Sequence, residues 1–347
     1  MYWTRRHMLQ IGGAAIVAGT LPSLGEARDE LQGVIKPKRL REGDLVGLIN
    51  PAGATFHPDR AEIARETMAA LGLRTRFGDH LLNRYGYLAG RDEDRAADIN
   101  SFFADPEVRM VLALRGGWGC NRLLPLLDYD LIRKNPKIVM GMSDITGLLL
   151  GIYTKTGVVT FHGPTGGSSW NEFTTDQAKR VLFDGAALTM ANPVGTDDRL
   201  VQVKNRVLTI NPGTARGRLV GGNLTVLTAL IGSDFLPDFD GCILFLEDVR
   251  EEVYRVDRML TQLKLAGVLE GIAGFVFGRC SDCEPTSRYG SLTLREVLND
   301  HIAPLGIPAW YGSMIGHIAD KFTVPLGVPA EIDADKGTIK LLEPAVI

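Results

Sequence analysis

The stretch Lys137 to Gly157, KIVMGMSDITGLLLGIYTKTG, constrains this chain more than any other. The apolar run Ile138-Val139-Met140 meets Gly141-Met142-Ser143-Asp144. An apolar helix pattern follows through Leu148, Leu149, Leu150, Ile152 and Tyr153. A short apolar run, a glycine-marked turn and a longer helical period predict strand, tight turn and helix. The turn holds one serine clear of the sheet edge. The first amides of the helix point at whatever sits on its oxygen. A serine nucleophile needs this geometry. The same residues also read as a helix N-cap, with Ser143 or Asp144 satisfying the free amides. From this stretch alone both readings stand.

The chain around it repeats the strand and helix theme. Leu45 to Asn50 (LVGLIN) reads as a buried strand ending in Pro51-Ala52-Gly53. Glu62 to Leu71 and Glu93 to Phe103 carry helical spacing. Val108 to Leu114 reads as a strand followed by Arg115-Gly116-Gly117-Trp118-Gly119, and Asn121 to Leu127 as the start of another helix. Alternating strands and helices predict a parallel sheet covered on both faces, with its site at the strand C-termini. This Rossmann/flavodoxin-like α/β domain is placed at residues 40–175. Phe173 to Asn192 is polar and helical, and Val194 to Arg206 has few apolar anchors, so 176–213 is read as a linker. From there short apolar runs separated by glycines, with one helix at Val253 to Ala266, predict a smaller, β-rich, barrel-like domain at 214–343.

At 347 residues the chain has room for two compact domains. The net charge of -3, with no basic stripe interleaved with aromatics, argues against a nucleic-acid partner. No internal run is long and apolar enough to predict stable membrane insertion. The N-terminus differs. Thr4-Arg5-Arg6-His7-Met8-Leu9 followed by the Gly- and Ala-rich run Ile11 to Leu21 resembles a twin-arginine signal, placed at 1–27. It predicts export to the periplasm; without a working signal the expected location is the cytoplasm. Among the four cysteines, Cys280 and Cys283 form a Cys-Ser-Asp-Cys pair. No second close pair of Cys or His accompanies it, as a zinc site would require. The pair reads as a loop after a strand, with a disulfide permitted in an oxidising compartment.

Several residues outside the serine turn are candidates for chemistry. Arg115 to Gly119 reads as an anion cradle, a plain glycine turn or an oxyanion hole beside Ser143. Glu247 ends the strongly apolar run Cys242-Ile243-Leu244-Phe245-Leu246, where a carboxylate is costly unless partnered. It is either salt-bridged to Arg255 or Arg258, or functional. A serine nucleophile needs a base, most often histidine. His317, in Gly316-His317-Ile318-Ala319-Asp320-Lys321, is one candidate; His57, His80, His162 and His301 are the others. His162 reads equally as a buried structural histidine.

Taken together and in order, these motifs resemble the LD-carboxypeptidase family of serine peptidases. That family includes murein tetrapeptide carboxypeptidases and microcin C self-immunity peptidases. The matching stretches are Pro51 to Gly53, RGGWGCNRLLPLLDYDLI from Arg115, NPKIVMGMSDITGLLLGIYTKTG from Asn135, FHGP from Phe161, GRLVGGNLTVL from Gly217, LFLEDVREEVYRVDRMLTQL from Leu244 and GHIADKFTVPLG from Gly316. They span the chain from about Leu40 to Glu343. The resemblance implies a triad of Ser143 as nucleophile, His317 as base and Glu247 orienting the histidine, on an α/β domain followed by a β-rich one. It implies an oxyanion hole from the amides of Gly117 and Asp144, and Arg115 and Trp118 as substrate-binding residues. The implied reaction hydrolyses the bond from meso-diaminopimelate or L-lysine to a terminal D-alanine in peptidoglycan-derived peptides, with no metal and no cofactor. Alternatives are a peptidase of microcin C-like peptidyl nucleotides and a non-catalytic murein-peptide binder. Family members are commonly homodimers. This chain departs in having Trp118 where tyrosine is frequent, and in carrying a signal-like segment where murein recyclers are typically cytoplasmic.

Overall fold

The computed structural model describes residues 33–195, 200–285 and 290–347, so the signal-like segment 1–27 lies outside the described residues. In chain order the strands are β1 (Leu45–Ile49), β2 (Arg74–Phe77), β3 (Val108–Ala113), β4 (Ile138–Gly141), β5 (Thr160–His162), β6 (Thr189–Ala191), β7 (Leu208–Asn211), β8 (Thr214–Asn223), β9 (Ile243–Val249), β10 (Gly274–Ser281), β11 (Ala309–Tyr311), β12 (Val324–Leu326), β13 (Pro329–Asp333) and β14 (Thr338–Leu341). They form two sheets.

The first sheet has the order β12-β5-β4-β3-β1-β2. Its five N-terminal strands are parallel, in the flavodoxin-like order β2-β1-β3-β4-β5. The chain builds outward from β1 in both directions, so the loops after β1 and β3 diverge at a switch point, where open sheets of this kind form their sites. Strands β1 and β4 are buried along their whole length, as continuous apolar runs in parallel sheets are. The helix Ile145–Thr156 that follows β4 is buried at ten of its twelve positions. A helix apolar on all sides sits inside the protein. It ends at Gly157, whose left-handed conformation closes it.

The second sheet has the order β6-β14-β13-β8-β9-β10-β11-β7. Its centre, β8 to β11, is parallel, and its flanks are antiparallel. The C-terminal ends of β8, β9 and β10 carry Asn223, Glu247 and Ser281.

Two local expectations change, and two strands appear where none was expected. The helix expected from Asn121 is a 3-10 segment, Cys120–Leu126, with Pro125 inside it; proline has no N–H to continue an α-helix. Residues 176–213 are more than a linker. They hold most of the helix Glu172–Leu182 and strands β6 and β7, both edge strands of the second sheet and too short to leave a periodic signature. Strand β2, Arg-Thr-Arg-Phe, was not legible because it lies at a sheet edge and is half exposed. Val324-Pro325-Leu326 is β12, which returns from the C-terminal half to pair antiparallel with β5. Pro325 is tolerated there because the strand is an edge.

Candidate active site

Ser143 follows β4 and precedes the buried helix. Its φ is +64°, the left-handed region that side chains other than glycine rarely occupy. The helix's own hydrogen bonds begin with Ile145 N–H to the Met142 carbonyl (3.3 Å) and Thr146 N–H to that of Ser143 (2.9 Å). The N–H groups of Ser143 and Asp144 come before them, where a helix N-terminus leaves donors free for a ligand. The Asp144 carboxylate does not cap the helix. It turns away to accept the Cys120 N–H at 2.8 Å. Burial pushes this carboxyl upward, against the Cys120 bond that lowers it.

The loop after β3 lies against the serine. A Cβ on Gly116 would sit 2.7 Å from Ser143 Cβ and 3.0 Å from its Oγ, so only glycine permits this approach. Gly117, at φ +137°, packs as closely on Gly53, and Gly53 N–H donates to the Gly116 carbonyl at 3.4 Å. The loops after β1 and β3 are thus locked together beside the Ser143 turn. Buried Arg95 braces both, donating to the Pro51 carbonyl and, at 3.2 Å, to that of Gly119. Arg115 donates to the Ala54 and Gly116 carbonyls, at 3.1 and 3.2 Å. Trp118 is 66% exposed and meets Tyr87 edge to face at 6.2 Å.

Glu247, fully buried at the end of β9, accepts a bond from His317 Nδ1 to Oε2 at 2.8 Å. Neither Arg255 nor Arg258 is its partner: Arg255 pairs with Glu251, and both arginines lie over Tyr254. The other carboxylate oxygen accepts from Asn223 Nδ2 at 3.2 Å, and the same amide donates to Asp248 Oδ1 at 2.9 Å. The Asn223 N–H donates in turn to Thr146 Oγ1 at 3.0 Å. One polar chain therefore runs from the helix after Ser143 through Asn223 and Glu247 to His317, joining the two sheets. No hydrogen bond joins Ser143 Oγ to His317 in this structure. The remaining histidines have other settings. His80 is paired with Asp98 (2.8 Å), His301 with Asp257 (2.6 Å), and His57 is exposed.

The electrostatics follow from this packing. Burial would push the Glu247 carboxyl up. The bond from His317, the charges of His317 and His162 and the Asn223 bond together outweigh that and hold it below its ordinary value. Burial would depress His317, but its bond to Glu247 and the charges of Glu247 and Asp248 hold it above 6.5. Asp248 carries the cost of proximity. Burial first and the Glu247 charge second push it up to about 6. His162 is fully buried, its ring 5.7 Å edge-on from that of Phe245, with neither ring nitrogen bonded within the protein. Burial pushes it down to about 4.

Sequence reasoning did not single out Asn223, Thr146 or Arg95 as site residues. Asn223 ends the apolar run Leu219 to Gly222 just as Glu247 ends its own, and a polar side chain closing a buried strand is a usable signal. Nothing local marks Thr146 or Arg95; their roles depend on what folds against them.

Comparison with known proteins agrees with this architecture. The N-terminal domain of the LD-carboxypeptidase family matches residues 46–163, and its C-terminal domain matches 216–332. A probable murein peptide carboxypeptidase of Bacillus subtilis is 41% identical over 308 residues, covering 87% of this chain and 93% of that protein. The microcin C7 self-immunity protein MccF, in a variant complexed with adenosine monophosphate, superposes with a TM-score of 0.81 at 29% identity, over 90% of this chain and 100% of that one. A muramoyltetrapeptide carboxypeptidase from Oxalobacter formigenes does so with a TM-score of 0.73 at 29% identity, over 86% and 97%. On its sequence and its fold alike, this chain is a peptidase of the LD-carboxypeptidase family.

Proposed function

We propose that this peptidase is a serine LD-carboxypeptidase that removes the terminal D-alanine of murein tetrapeptides, cutting the bond from the L-configured centre of meso-diaminopimelate or L-lysine. The observation that carries the reading is the 2.8 Å bond from His317 Nδ1 to a wholly buried Glu247, in a chain whose Ser143 is held in a left-handed turn at a helix start. In this reading Ser143 Oγ attacks the amide carbonyl and His317 Nε2 takes its proton. A serine-histidine bond that forms only around bound substrate is common in such sites. The developing oxyanion is met by the N–H groups of Gly117 and Asp144. His317 passes the proton to the leaving D-alanine amine, leaving an acyl ester on Ser143. A water then gives its proton to the same nitrogen and hydrolyses the ester. Glu247 stabilises the imidazolium formed in each half-reaction. Arg115, tied to the loop carbonyls, and exposed Trp118 form the wall where the peptide lies.

The test is mass spectrometry of muropeptides incubated with the protein and with its Ser143→Ala variant. Loss of about 71 Da from tetrapeptides, the residue mass of one alanine, is expected with the first and not the second. Full D-alanine release by Ser143→Ala would end the serine mechanism. The likeness to MccF with a bound nucleotide favours one second reading, hydrolysis of peptidyl-nucleotide amides. A peptidyl adenylate in the same assay separates the two, and saturable binding without turnover of either would indicate a binder. We also propose export by way of Arg5 and Arg6. Replacing both with lysine should abolish it, and undiminished export would refute that.

A further inference from the structure

The Cys280–Cys283 pair has no part in the chemistry above, yet it sits beside both partners of the histidine pair. The two cysteines are joined by a disulfide. Cys280 is the penultimate residue of β10 and lies opposite Asp248, the neighbour of Glu247; Ser281 lies opposite Val249. The Ser281 carbonyl accepts the Arg250 N–H at 2.8 Å, so the end of β10 is tied to the strand that carries Glu247. The same segment holds the histidine. Arg279 N–H donates to the Ile315 carbonyl at 2.8 Å, and Ser281 Oγ donates to the carbonyl of His317 itself at 3.0 Å. His317 stands in a stretch, residues 312–323, without regular secondary structure. Its backbone therefore depends on such individual bonds for its place. The disulfide closes the turn around Ser281, where Asp282 adopts a left-handed φ of +57°.

We propose that Ser281 is a positioning residue for His317, and that the Cys280–Cys283 disulfide around it makes that positioning, and with it turnover, depend on the redox state. The proposal rests on the reading of His317 as the base. Reduction by a dithiol breaks the S–S bond and moves two electrons and two protons to the protein, giving two cysteine thiols while the reductant closes its own disulfide. The turn is then free to move Ser281 away from the His317 carbonyl. A displacement of about 1 Å at a catalytic group is enough to cost tenfold or more in rate.

The experiment uses the full-length protein, oxidised and after dithiothreitol, together with Ser281→Ala, Ser281→Thr and the double variant Cys280→Ser/Cys283→Ser. Reduction is verified by a rise from two to four titratable thiols in denaturant, since Cys120 and Cys242 are already free. Two readouts are taken: kcat and KM for D-alanine release, and amide hydrogen exchange of peptides spanning 312–323 and 145–156. Reduction, the double variant and Ser281→Ala are each expected to lower kcat about tenfold with KM within about twofold. Exchange should quicken in 312–323 only. Ser281→Thr, which keeps the hydroxyl, should restore kcat, and reductant should leave the double variant unchanged. Unchanged kcat after verified reduction overturns the proposal. So does a loss confined to KM, or exchange that rises equally in both peptides, the mark of a general staple. If the oxidised protein releases no D-alanine at all, the functional reading fails instead. Exchange then decides the brace alone, and unchanged exchange in 312–323 on reduction refutes it.

Discussion

Replacing Glu247 by glutamine keeps the volume of a fully buried side chain and removes its charge. Asn223 Nδ2, fixed by its 2.9 Å bond to Asp248 Oδ1, points a donor at Oε1 of residue 247. A glutamine must therefore turn its carbonyl to Asn223 and its NH2 to His317, or place two donors face to face. The first orientation is the better satisfied, and a buried unsatisfied group costs about 1–3 kcal/mol. It offers His317 Nδ1 a donor, so that nitrogen must become the acceptor and the proton moves to Nε2. The base then has no free lone pair for the serine. The imidazolium also loses its counter-charge. For an orienting carboxylate these effects together cost about 10²- to 10⁴-fold in kcat, or about 3–5 kcal/mol. KM should change little, because neither group binds the peptide in the ground state. The pH profile gives an independent sign. His317 is held above 6.5 in the wild type, so with His317 as base kcat/KM should rise through an apparent pKa above that value. Without the Glu247 charge, burial prevails and the acidic limb moves to lower pH, on a much reduced plateau. The assay is D-alanine release from a murein tetrapeptide between pH 5 and 9, with circular dichroism confirming the fold. A variant within threefold of wild-type kcat, or an unshifted acidic limb, would refute the assignment of Glu247.

Gly116→Ala introduces a Cβ 2.7 Å from Ser143 Cβ, so kcat should fall at least about tenfold with the fold intact by circular dichroism; wild-type turnover would show that this approach is not needed. His162 bears on stability instead. Its folded value of about 4 lies below the 6.5 of the unfolded chain, so between those pH values the unfolded state binds a proton that the native state refuses. Stability should fall over that window as pH drops, by up to about 3 kcal/mol. His162→Leu should flatten this part of the dependence in urea unfolding at pH 7, 5.5 and 4.5; parallel curves for variant and wild type would contradict it.

Much of the first sheet could be read from the sequence because its signals are local. A fully buried parallel strand is a continuous apolar run; β1 and β4 are such runs, and β3 is one broken only by half-buried Arg109. The strand, turn and helix around Ser143 were legible as well, from an apolar run, a glycine-marked turn and a helical period. Glu247 stood out as a charge closing a buried strand, with a salt bridge as its rival explanation. The resemblance to the family joined these points into a triad. Short or edge elements were not legible: β2, β6 and β7 bury too few residues to impose a period. Strand β12 joins the first sheet from the far end of the chain, a pairing that no local pattern encodes. The tertiary structure alone decided that Glu247 faces His317 rather than an arginine, that Asn223 links them to the helix of Ser143, and that Ser281 reaches the His317 carbonyl. Periodicity records which side of an element is buried, and a sequence carries that residue by residue. Which buried carboxylate meets which imidazole across 70 residues depends on how two sheets settle against each other, and only the folded chain determines that.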